Sequence, residues 1–328
     1  MNKIRTVIIG MGKMGKLRQN TMINHGGFNV VSTCDVNGDC EYSDWKICLN
    51  EVKPEAVVIC TVNNIMVDIV CYALEQDIHV FCEKPPGRNL ADTLKMKKVY
   101  ENNNAVLKFG FNHRYHSSII EAKTLIDNEL LGIPVFIRGV YGKAGSGIFN
   151  TEWRNKPELS GGGILIDQGI HMLDLLLFFL GDLYVEYSTV DRLAWENIPT
   201  EDSAAVILRS TDDKVATLHS SVLQWKHKFD MDIMLTEGYI ALNGLLTATR
   251  SYGEERITYY KKDLSMRSGK IGNPTEHTMC FEVDDSWDYE MKEFYNAIRQ
   301  NKPIKNGTID DAVKVMQLIE SIYKSPVN

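Results

Sequence analysis

The sequence predicts an α/β protein with two domains. A doubly wound parallel sheet comes first, and an α/β domain with a large open, mostly antiparallel sheet follows. The 328 residues exceed what one hydrophobic core usually organises. Short apolar runs alternate with helical patterns up to residue 112, and longer runs of alternating polarity follow. We therefore predict domains over residues 1–112 and 113–328.

The first domain is predicted from five strand-like runs with helical patterns between them. Runs that are apolar almost without interruption indicate strands buried on both faces, as in a parallel sheet. Helices are predicted over residues 66–76 and 90–102. The predicted strands are residues 5–9, 30–34, 56–61, 79–82 and 106–109.

The second domain begins with a predicted helix over residues 117–128 and ends with two more helices. The last helix starts at Thr308, where Asp311 makes an acidic variant of the capping box. Residues 142–163, rich in glycine and polar residues, are either a loop over the site or an ordinary surface connection. The predicted strands are residues 134–142, 204–209, 215–223, 229–236, 239–242 and 257–262, with a turn at Glu237 and Gly238.

Composition and charge indicate a cytoplasmic protein that acts on a metabolite. The net charge is −7 and no basic stripe is present, so neither nucleic acid nor an anionic membrane is an expected partner. The apolar run at residues 172–180 is too short to cross a bilayer, and the first residues lack a signal-peptide pattern. The seven cysteines have no C-x-x-C or zinc-site spacing, so we expect buried free thiols and no metal.

A glycine motif after the first predicted strand indicates a dinucleotide site. Gly10, Gly12 and Gly15 form G-x-G-x-x-G between a strand and a helix that opens near Lys13 and Met14. In such a motif the first glycine makes a tight turn, and the second lets the backbone approach a pyrophosphate at the helix N-terminus. The third allows close packing of the helix.

Asp35 strengthens this interpretation because it ends the second predicted strand, 20 residues after Gly15. Its carboxylate could accept hydrogen bonds from the adenosine ribose, and it would repel the additional phosphate of NADP. Val36 and Asn37 offer no arginine for that phosphate, so NAD is favoured over NADP. The alternative is a plain glycine turn beside a solvated aspartate.

A lysine follows another predicted parallel strand, in the sequence Glu83-Lys84-Pro85-Pro86. Ligands bind at the carboxyl ends of strands in such sheets, so we expect Lys84 at the cofactor crevice. The prolines restrict the backbone, and an X-Pro bond here can be cis. The alternative is a surface lysine at a strand-to-helix turn.

A second polar constellation follows three glycines, at residues 161–163. Asp167, His171 and Asp174 are spaced by four and three, so a helix would place them on one face. Oxidation of a secondary alcohol needs a base and an electrostatic partner for the oxygen, which His171 and Lys84 could supply. Asp167 could orient the imidazole. The alternative is a hydrogen-bonded core histidine beside helix-capping carboxylates.

These motifs together resemble the Gfo/Idh/MocA family of glucose-fructose oxidoreductases, inositol dehydrogenases and related sugar dehydrogenases. The resemblance covers nearly the whole chain and rests on the glycine fingerprint, the E-K-P tripeptide and the G-G-G-x-x-x-D-x-G-x-H segment. It implies a Rossmann domain and a second domain whose open sheet mediates a homodimer or homotetramer. It also implies that Lys84, Asp167 and His171 form the catalytic set.

The fingerprint and the resemblance imply two sets of binding residues, although structural hydrogen bonds are the alternative for several of them. The sequence departs from the family after Thr61, where Val62 and Met66 stand in place of a common proline and histidine. Arg114 and Arg154 could bind a phosphate. The expected cofactor contacts are Gly10, Gly12, Lys13, Met14, Gly15, Asp35, Thr61, Asn63, Glu83 and Lys84. The expected substrate contacts are Lys84, Asn112, Arg114, Trp153, Arg154, Asp167 and His171.

The sequence thus predicts an NAD(P)-dependent dehydrogenase or reductase. Its hydride would move between nicotinamide and a ring carbon of a sugar, a sugar derivative such as a nucleotide sugar, or a cyclic polyol. Two alternatives share the fold: an NAD-dependent glycoside hydrolase, and a non-catalytic NAD-binding regulatory protein. Intact Lys84, Asp167 and His171 weigh against the regulatory protein.

Overall fold

The computed structural model describes residues 3–145, 153–194, 197–262 and 275–325. The chain divides into two compact units. The first comprises residues 1–112, 156–161 and 286–317, and the second comprises residues 113–155, 162–285 and 318–328. The sequence predicts residues 156–161 and 286–317 in the second domain, and the structure corrects this assignment.

The first unit contains a five-stranded parallel sheet with the strand order β2-β1-β3-β4-β5, which confirms the predicted doubly wound architecture. The order reverses beside β1, and ligands bind at such a switch point. The strands are β1 Ile4–Ile9, β2 Phe28–Cys34, β3 Ala56–Ile59, β4 His79–Cys82 and β5 Leu107–Phe109. The helices are α1 Lys13–His25, α2 Trp45–Val52, α3 Asn63–Glu75, α4 Leu90–Tyr100, α6 Pro157–Ser160 and α8 Ser286–Gln300.

The core of the first unit explains why α8 belongs to it. Phe294 of α8 lies nearly parallel to Phe28 of β2, with ring centroids 6.3 Å apart, and edge-on to Phe81 of β4 at 5.7 Å. Met291 of the same helix and Met22 of α1 join this buried cluster. Aromatic rings bury more apolar area than most side chains. These contacts therefore hold α8 on the first unit, although it lies far from the other elements along the chain.

A buried ion cluster ties α1, α8 and the end of β4 together. Arg18 of α1 has no exposed surface, and its Nε lies 2.6 Å from Glu83 Oε1 and its Nη2 2.6 Å from Glu290 Oε2. Burial acts to lower the pKa of Arg18, but the two carboxylates outweigh it and hold that pKa above its usual value. The guanidinium therefore stays charged between β4 and α8.

The second unit contains an eight-stranded sheet with the order β13-β12-β11-β10-β6-β9-β8-β7. Its pairs are antiparallel except for β6 with β9, which confirms the predicted open, mostly antiparallel sheet. The sequence did not predict β7 and β13. The strands are β6 Pro134–Ala144, β7 Leu183–Asp191, β8 Ser203–Ser210, β9 Val215–Ser221, β10 Leu223–Leu235, β11 Gly238–Asn243, β12 Glu255–Lys261 and β13 His277–Phe281.

Helices cover one face of this sheet. α5 Ser117–Asp127 packs against β11 and β12, and α7 Ile170–Leu180 packs against β6 and β9. A π-helical turn, Leu165–Gly169, precedes α7 where the sequence predicts one regular helix. Of the segment predicted as a loop, residues 146–152 lie outside the described residues.

The helical stretch Pro157–Leu180 is the candidate membrane span that the described residues contain. By length and composition alone it could cross a membrane, whereas the apolar run at residues 172–180 that was considered in the sequence is too short. However, 78% of its most apolar window is buried inside the protein. Such burial is typical of the core helix of a globular domain.

The predicted capping box is present at the start of α9, Ile309–Lys324. Asp311 accepts a hydrogen bond from the backbone N–H of Thr308 at 2.9 Å, and its own N–H donates to Thr308 Oγ1 at 3.0 Å. This reciprocal pair satisfies two backbone groups that a helix start leaves open.

We expect Arg18→Met to lower the free energy of unfolding by about 3–5 kcal/mol, because it leaves two buried carboxylates without their cation. Urea unfolding followed by circular dichroism measures this loss. The matched control is Lys95→Met, whose pair with Asp68 is 57% and 63% exposed and should contribute about 0–1 kcal/mol. Equal losses in the two variants would show that the buried cluster adds no stability.

Candidate active site

The glycine turn at the end of β1 combines two crowded positions with an open one. Gly10 has φ +91°, and a Cβ placed there would lie 2.6 Å from the carbonyl group of Cys60. A Cβ on Gly15 would lie 2.0 Å from the carbonyl oxygen of Gly10. A Cβ on Gly12 would meet nothing within 4 Å. The turn is therefore closely packed on the protein side and open to a ligand at Gly12, where α1 begins.

Asp35 is joined to this turn by hydrogen bonds. Its Oδ2 accepts from the backbone N–H of Met11 at 2.6 Å, and its Oδ1 accepts from that of Asn37 at 2.8 Å. A carboxylate has about four lone-pair sites, so acceptor capacity remains for ribose hydroxyls. Asp35 is thus a fixed part of the turn, unlike the solvated aspartate that was the alternative.

Polar groups at the start of α3 add to this edge of the sheet. Thr61 Oγ1 and Asn64 Oδ1 are buried without a hydrogen-bond partner among the described residues, and such groups indicate a ligand or an ordered water. The amide of Asn63 instead donates to the carbonyl of Ser160 at 2.8 Å. That Asn63 contacts the cofactor stays a prediction, and the neighbouring Asn64 is a further candidate for such a contact. Together with the open glycine turn, the oxygens of Thr61 and Asn64 fit a bound dinucleotide.

The segment after β4 carries Lys84 and a cis peptide bond between Lys84 and Pro85, as the sequence allowed. Lys84 is half-buried at the carboxyl end of the strand. Glu83, expected to contact the cofactor, is buried and engaged by Arg18. Its role in the structure is to anchor the end of β4, because its carboxylate is directed to α1.

In the second unit, Asp167 lies in the π-helical turn between two cations. Its Oδ2 is 2.9 Å from Lys143 Nζ, and its Oδ1 is 3.3 Å from Arg154 Nε. The Arg154 guanidinium lies 4.6 Å from the ring centroid of Trp153. The structure thus brings together three residues predicted at the site and adds Lys143. Nothing in the sequence distinguished Lys143 from a solvated lysine on a strand.

His171 lies in the first turn of α7 and is 4% exposed. Its ring stacks on that of His113, with centroids 3.7 Å apart and planes inclined by 15°. His113 Nε2 in turn lies 2.9 Å from the hydroxyl of Tyr141. Tyr141 is not among the residues predicted at the site, and His113 stands between two of the expected substrate contacts, Asn112 and Arg114. Only the position of His113 beside Asn112 and Arg114 could have pointed to it.

Arg114, which was expected to contact the substrate, forms a buried ion pair with Asp174. Nε and Nη2 of the guanidinium donate to the two carboxylate oxygens at 2.9 and 2.6 Å. Such bidentate pairs are among the stronger ones in proteins. Because its charge is neutralised by Asp174, Arg114 is unsuited to bind a substrate phosphate. Asn112 is also buried, and its amide donates to Ser286 Oγ in the first unit at 3.4 Å.

The second and third glycines of the triplet approach protein groups. Glu201 accepts hydrogen bonds from the N–H groups of Gly163 and Leu165 at 2.8 and 3.1 Å, and from the Tyr323 hydroxyl at 2.8 Å. A Cβ on Gly162 would lie 2.1 Å from that hydroxyl oxygen. Burial raises the pKa of Glu201 despite these bonds. The glycines therefore let the π-helical turn start against Glu201.

The catalytic residues expected from the sequence are divided between the units: Lys84 belongs to the first, and Asp167 and His171 belong to the second. The described residues contain no group of three or more His, Cys, Asp or Glu side chains arranged to hold a metal ion. Each unit is therefore described by itself: the first carries a dinucleotide edge, formed by the glycine turn, Asp35 and the start of α3, and the second carries the cluster around Asp167 and His171.

Comparison with known proteins places both halves of the chain in one family. Residues 4–111 match the model of the oxidoreductase family with an NAD-binding Rossmann fold, and residues 119–241 match the GFO/IDH/MocA C-terminal domain. D-glucoside 3-dehydrogenase of Escherichia coli K12 is 28% identical over 98% of this chain and 95% of its own. An inositol 2-dehydrogenase of Salmonella typhimurium is 24% identical over 98% and 94%. The solved structure of levoglucosan dehydrogenase with NADH shares the fold, with a TM-score of 0.84, 18% identity and 99% and 98% coverage.

We expect Gly12→Ala to fold normally and to bind NAD weakly, because its methyl group points into space left open for the ligand. A steric cost of about 1–3 kcal/mol corresponds to a roughly 5- to 150-fold higher Kd. Titration by NADH fluorescence measures it, and thermal unfolding checks the fold. Gly15→Ala is the contrasting variant and should lower the melting temperature. An unchanged Kd in a stable Gly12→Ala protein would remove this turn from the cofactor site.

Proposed function

The chain belongs to the GFO/IDH/MocA oxidoreductase family, and on that premise we propose that it is an NAD-dependent dehydrogenase of sugars or cyclic polyols. The hydride moves between nicotinamide and a ring carbon that carries a secondary hydroxyl. The observation that carries the proposal is the open backbone at Gly12, joined through Met11 to the carboxylate of Asp35. The substrate class is supported by relatives named for a glucoside, levoglucosan and inositol.

The residues of the dinucleotide edge favour NAD over NADP. Asp35 would bind the ribose hydroxyls, and its charge would repel a phosphate in their place. Lys13 and Met14 open α1, so their backbone N–H groups are suited to the pyrophosphate. Thr61 and Asn64 supply the buried oxygens at the start of α3.

In this proposal the chemistry needs one proton transfer and one stabilised oxygen. NAD, when bound, would supply the hydride acceptor that oxidation of the alcohol to a ketone requires. The hydroxyl proton passes to an imidazole nitrogen of His171, and the ammonium of Lys84 stabilises the substrate oxygen. Asp167 supports the imidazolium that forms. Lys143 and Arg154 hold its carboxylate in place, and in this scheme Arg154 and Trp153 line the substrate side.

We expect the purified protein to reduce NAD when it is given glucosides, levoglucosan or inositols, and to reduce NADP more slowly. The rise of the reduced-nicotinamide absorbance band measures this directly, and assays with ketone products and NADH cover the reverse direction. Absence of turnover in both directions, in a protein that binds NAD tightly, would contradict the proposal.

His171→Ala is the variant that tests the base. Its kcat should fall by roughly 10²–10⁴-fold with NAD affinity unchanged, which is the usual contribution of general acid/base catalysis. His277→Ala, at an exposed position on β13, is the matched control and should keep full activity. Unchanged turnover in His171→Ala would remove this residue from the mechanism.

We further propose a homodimer or homotetramer that covers the open face of the eight-stranded sheet. That face carries exposed apolar residues between polar ones, such as Ile207 on β8 and Met234 on β10. Exposed apolar area on one face of a sheet is typical of a surface that another chain covers.

The seven cysteines are free, in agreement with a cytoplasmic location, which cell fractionation would test.

Light scattering after size-exclusion chromatography should give a mass that is a multiple of 37.2 kDa. Met234→Glu, near the end of the central strand β10 on the open face, should reduce it to one chain, because an unpaired carboxylate would be buried in the interface. Leu94→Glu, at an exposed position on α4, should have no effect. A single-chain mass for the unmodified protein would refute the assembly.

A further inference from the structure

The two stacked imidazoles of His171 and His113 are buried together and come from different elements. His171 is at the start of α7, and His113 is in the 3₁₀ turn Asn112–Tyr115. At a centroid distance of 3.7 Å the rings are in van der Waals contact. A proton on one ring is therefore strongly felt by the other, since little water separates or screens them.

A chain of hydrogen bonds determines which nitrogen of His113 carries a hydrogen. The hydroxyl of Tyr252 donates to Gln168 Oε1 at 3.1 Å. The hydroxyl of Tyr141 is hydrogen-bonded to that of Tyr252, and His113 Nε2 lies 2.9 Å from the Tyr141 oxygen. Because an amide oxygen only accepts, each hydroxyl donates in the direction of Gln168. His113 must then donate from Nε2.

The buried tyrosines keep this chain in its neutral form. Burial, more than the proximity of Tyr252 and Asp167, raises the pKa of Tyr141 well above its usual value, so its hydroxyl stays protonated. Two positive charges on rings 3.7 Å apart would repel each other, so His113 is neutral when His171 carries a proton, and it then presents the face of its ring to His171. When His171 gains a proton, that face stabilises the cation, as aromatic faces stabilise cations in general.

We propose that His113 is a positioning residue for His171, whose proton affinity it raises through its stacked neutral ring. The inference depends on the proposed function only for the role of His171 as the base. The stacked pair would let the imidazole accept the substrate proton more readily, without His113 touching the substrate. The hydrogen bond from His113 Nε2 to Tyr141 holds the His113 ring in the orientation that the stacking requires.

Several other titratable groups surround the pair and remain in place when His113 alone is changed. His116, whose ring centroid is 5.6 Å from that of His113, is bonded to Glu255 and lies 4.0 Å from Asp284. The remaining ones are the Arg114–Asp174 pair, Asp167 with Lys143 and Arg154, and His227, whose ring centroid is 5.0 Å from that of Tyr252. A difference among variants at residue 113 therefore reports on the ring at that position.

Three substitutions separate the aromatic face from the hydrogen bond. His113→Phe keeps a ring face and loses the bond to Tyr141, and His113→Leu loses both at a similar volume. His113→Gln keeps a donor for Tyr141 and loses the face. The pKa of His171 is followed by NMR on histidine-labelled protein, with its signal identified by its loss in His171→Gln.

We expect the leucine and glutamine variants to lower the pKa of His171 by about 0.4–1.5 units, the equivalent of a typical cation–π contribution, while phenylalanine keeps it. The acid limb of the kcat/KM profile for oxidation should move to lower pH by the same amount, because the base stays neutral further into acid. KM should change little.

Either the leucine or the glutamine variant is sufficient if the other does not fold, and thermal unfolding identifies folded protein. Equal shifts in all folded variants, a shift in phenylalanine alone, or no shift in any of them would overturn the proposal. The NMR measurement needs no substrate. A protein without dehydrogenase activity would thus refute the proposed function while still testing the stacked pair.

Discussion

The guanidinium of Arg18 is the interaction on which the cofactor edge depends. It joins α1, which follows directly on the glycine turn, to Glu83 at the end of β4 and to Glu290 of α8. A buried cation with two carboxylate partners is costly to break, so the three elements keep one arrangement. Lys84 follows Glu83 directly, and its position therefore depends on a contact that has no part in the chemistry.

The sequence predicted those features that short spacing determines. The strands of the parallel sheet follow from apolar runs, the glycine turn from its motif, and the start of α9 from Thr308 and Asp311. From the sequence we predicted that Glu83, Asn63 and Arg114 contact a ligand. In the structure their side chains form hydrogen bonds with residues that are 65, 97 and 60 positions away in the chain. No local pattern encodes such pairs, because they depend on how distant segments pack. The π-helical turn and Lys143 were missed for the same reason.

The second unit keeps its charged carboxylate and its stacked imidazoles in different surroundings. Asp167 is held between two cations in the π-helical turn, and His171, one turn later, lies among aromatic rings with few exposed atoms. A carboxylate with two cationic partners is held as a fixed charge, whereas the neighbours of the imidazole that are described here are the rings of His113 and Tyr141. The glycines before the π-helical turn have no side chains, and this allows the turn to begin in close contact with Glu201 and Tyr323.

The return of α8 to the first unit has a consequence for synthesis on the ribosome. The parallel sheet is translated early, but Phe294 and Glu290 emerge only after residues 113–285. At about 5–20 residues per second, that interval lasts roughly 10–35 seconds. During it Phe28 and Phe81 lack the ring of Phe294, and Arg18 lacks the second of its two carboxylates. The unit whose translation begins first thus waits for a helix made near the end, and a nascent chain exposes that unfinished surface to chaperones for about half of its translation.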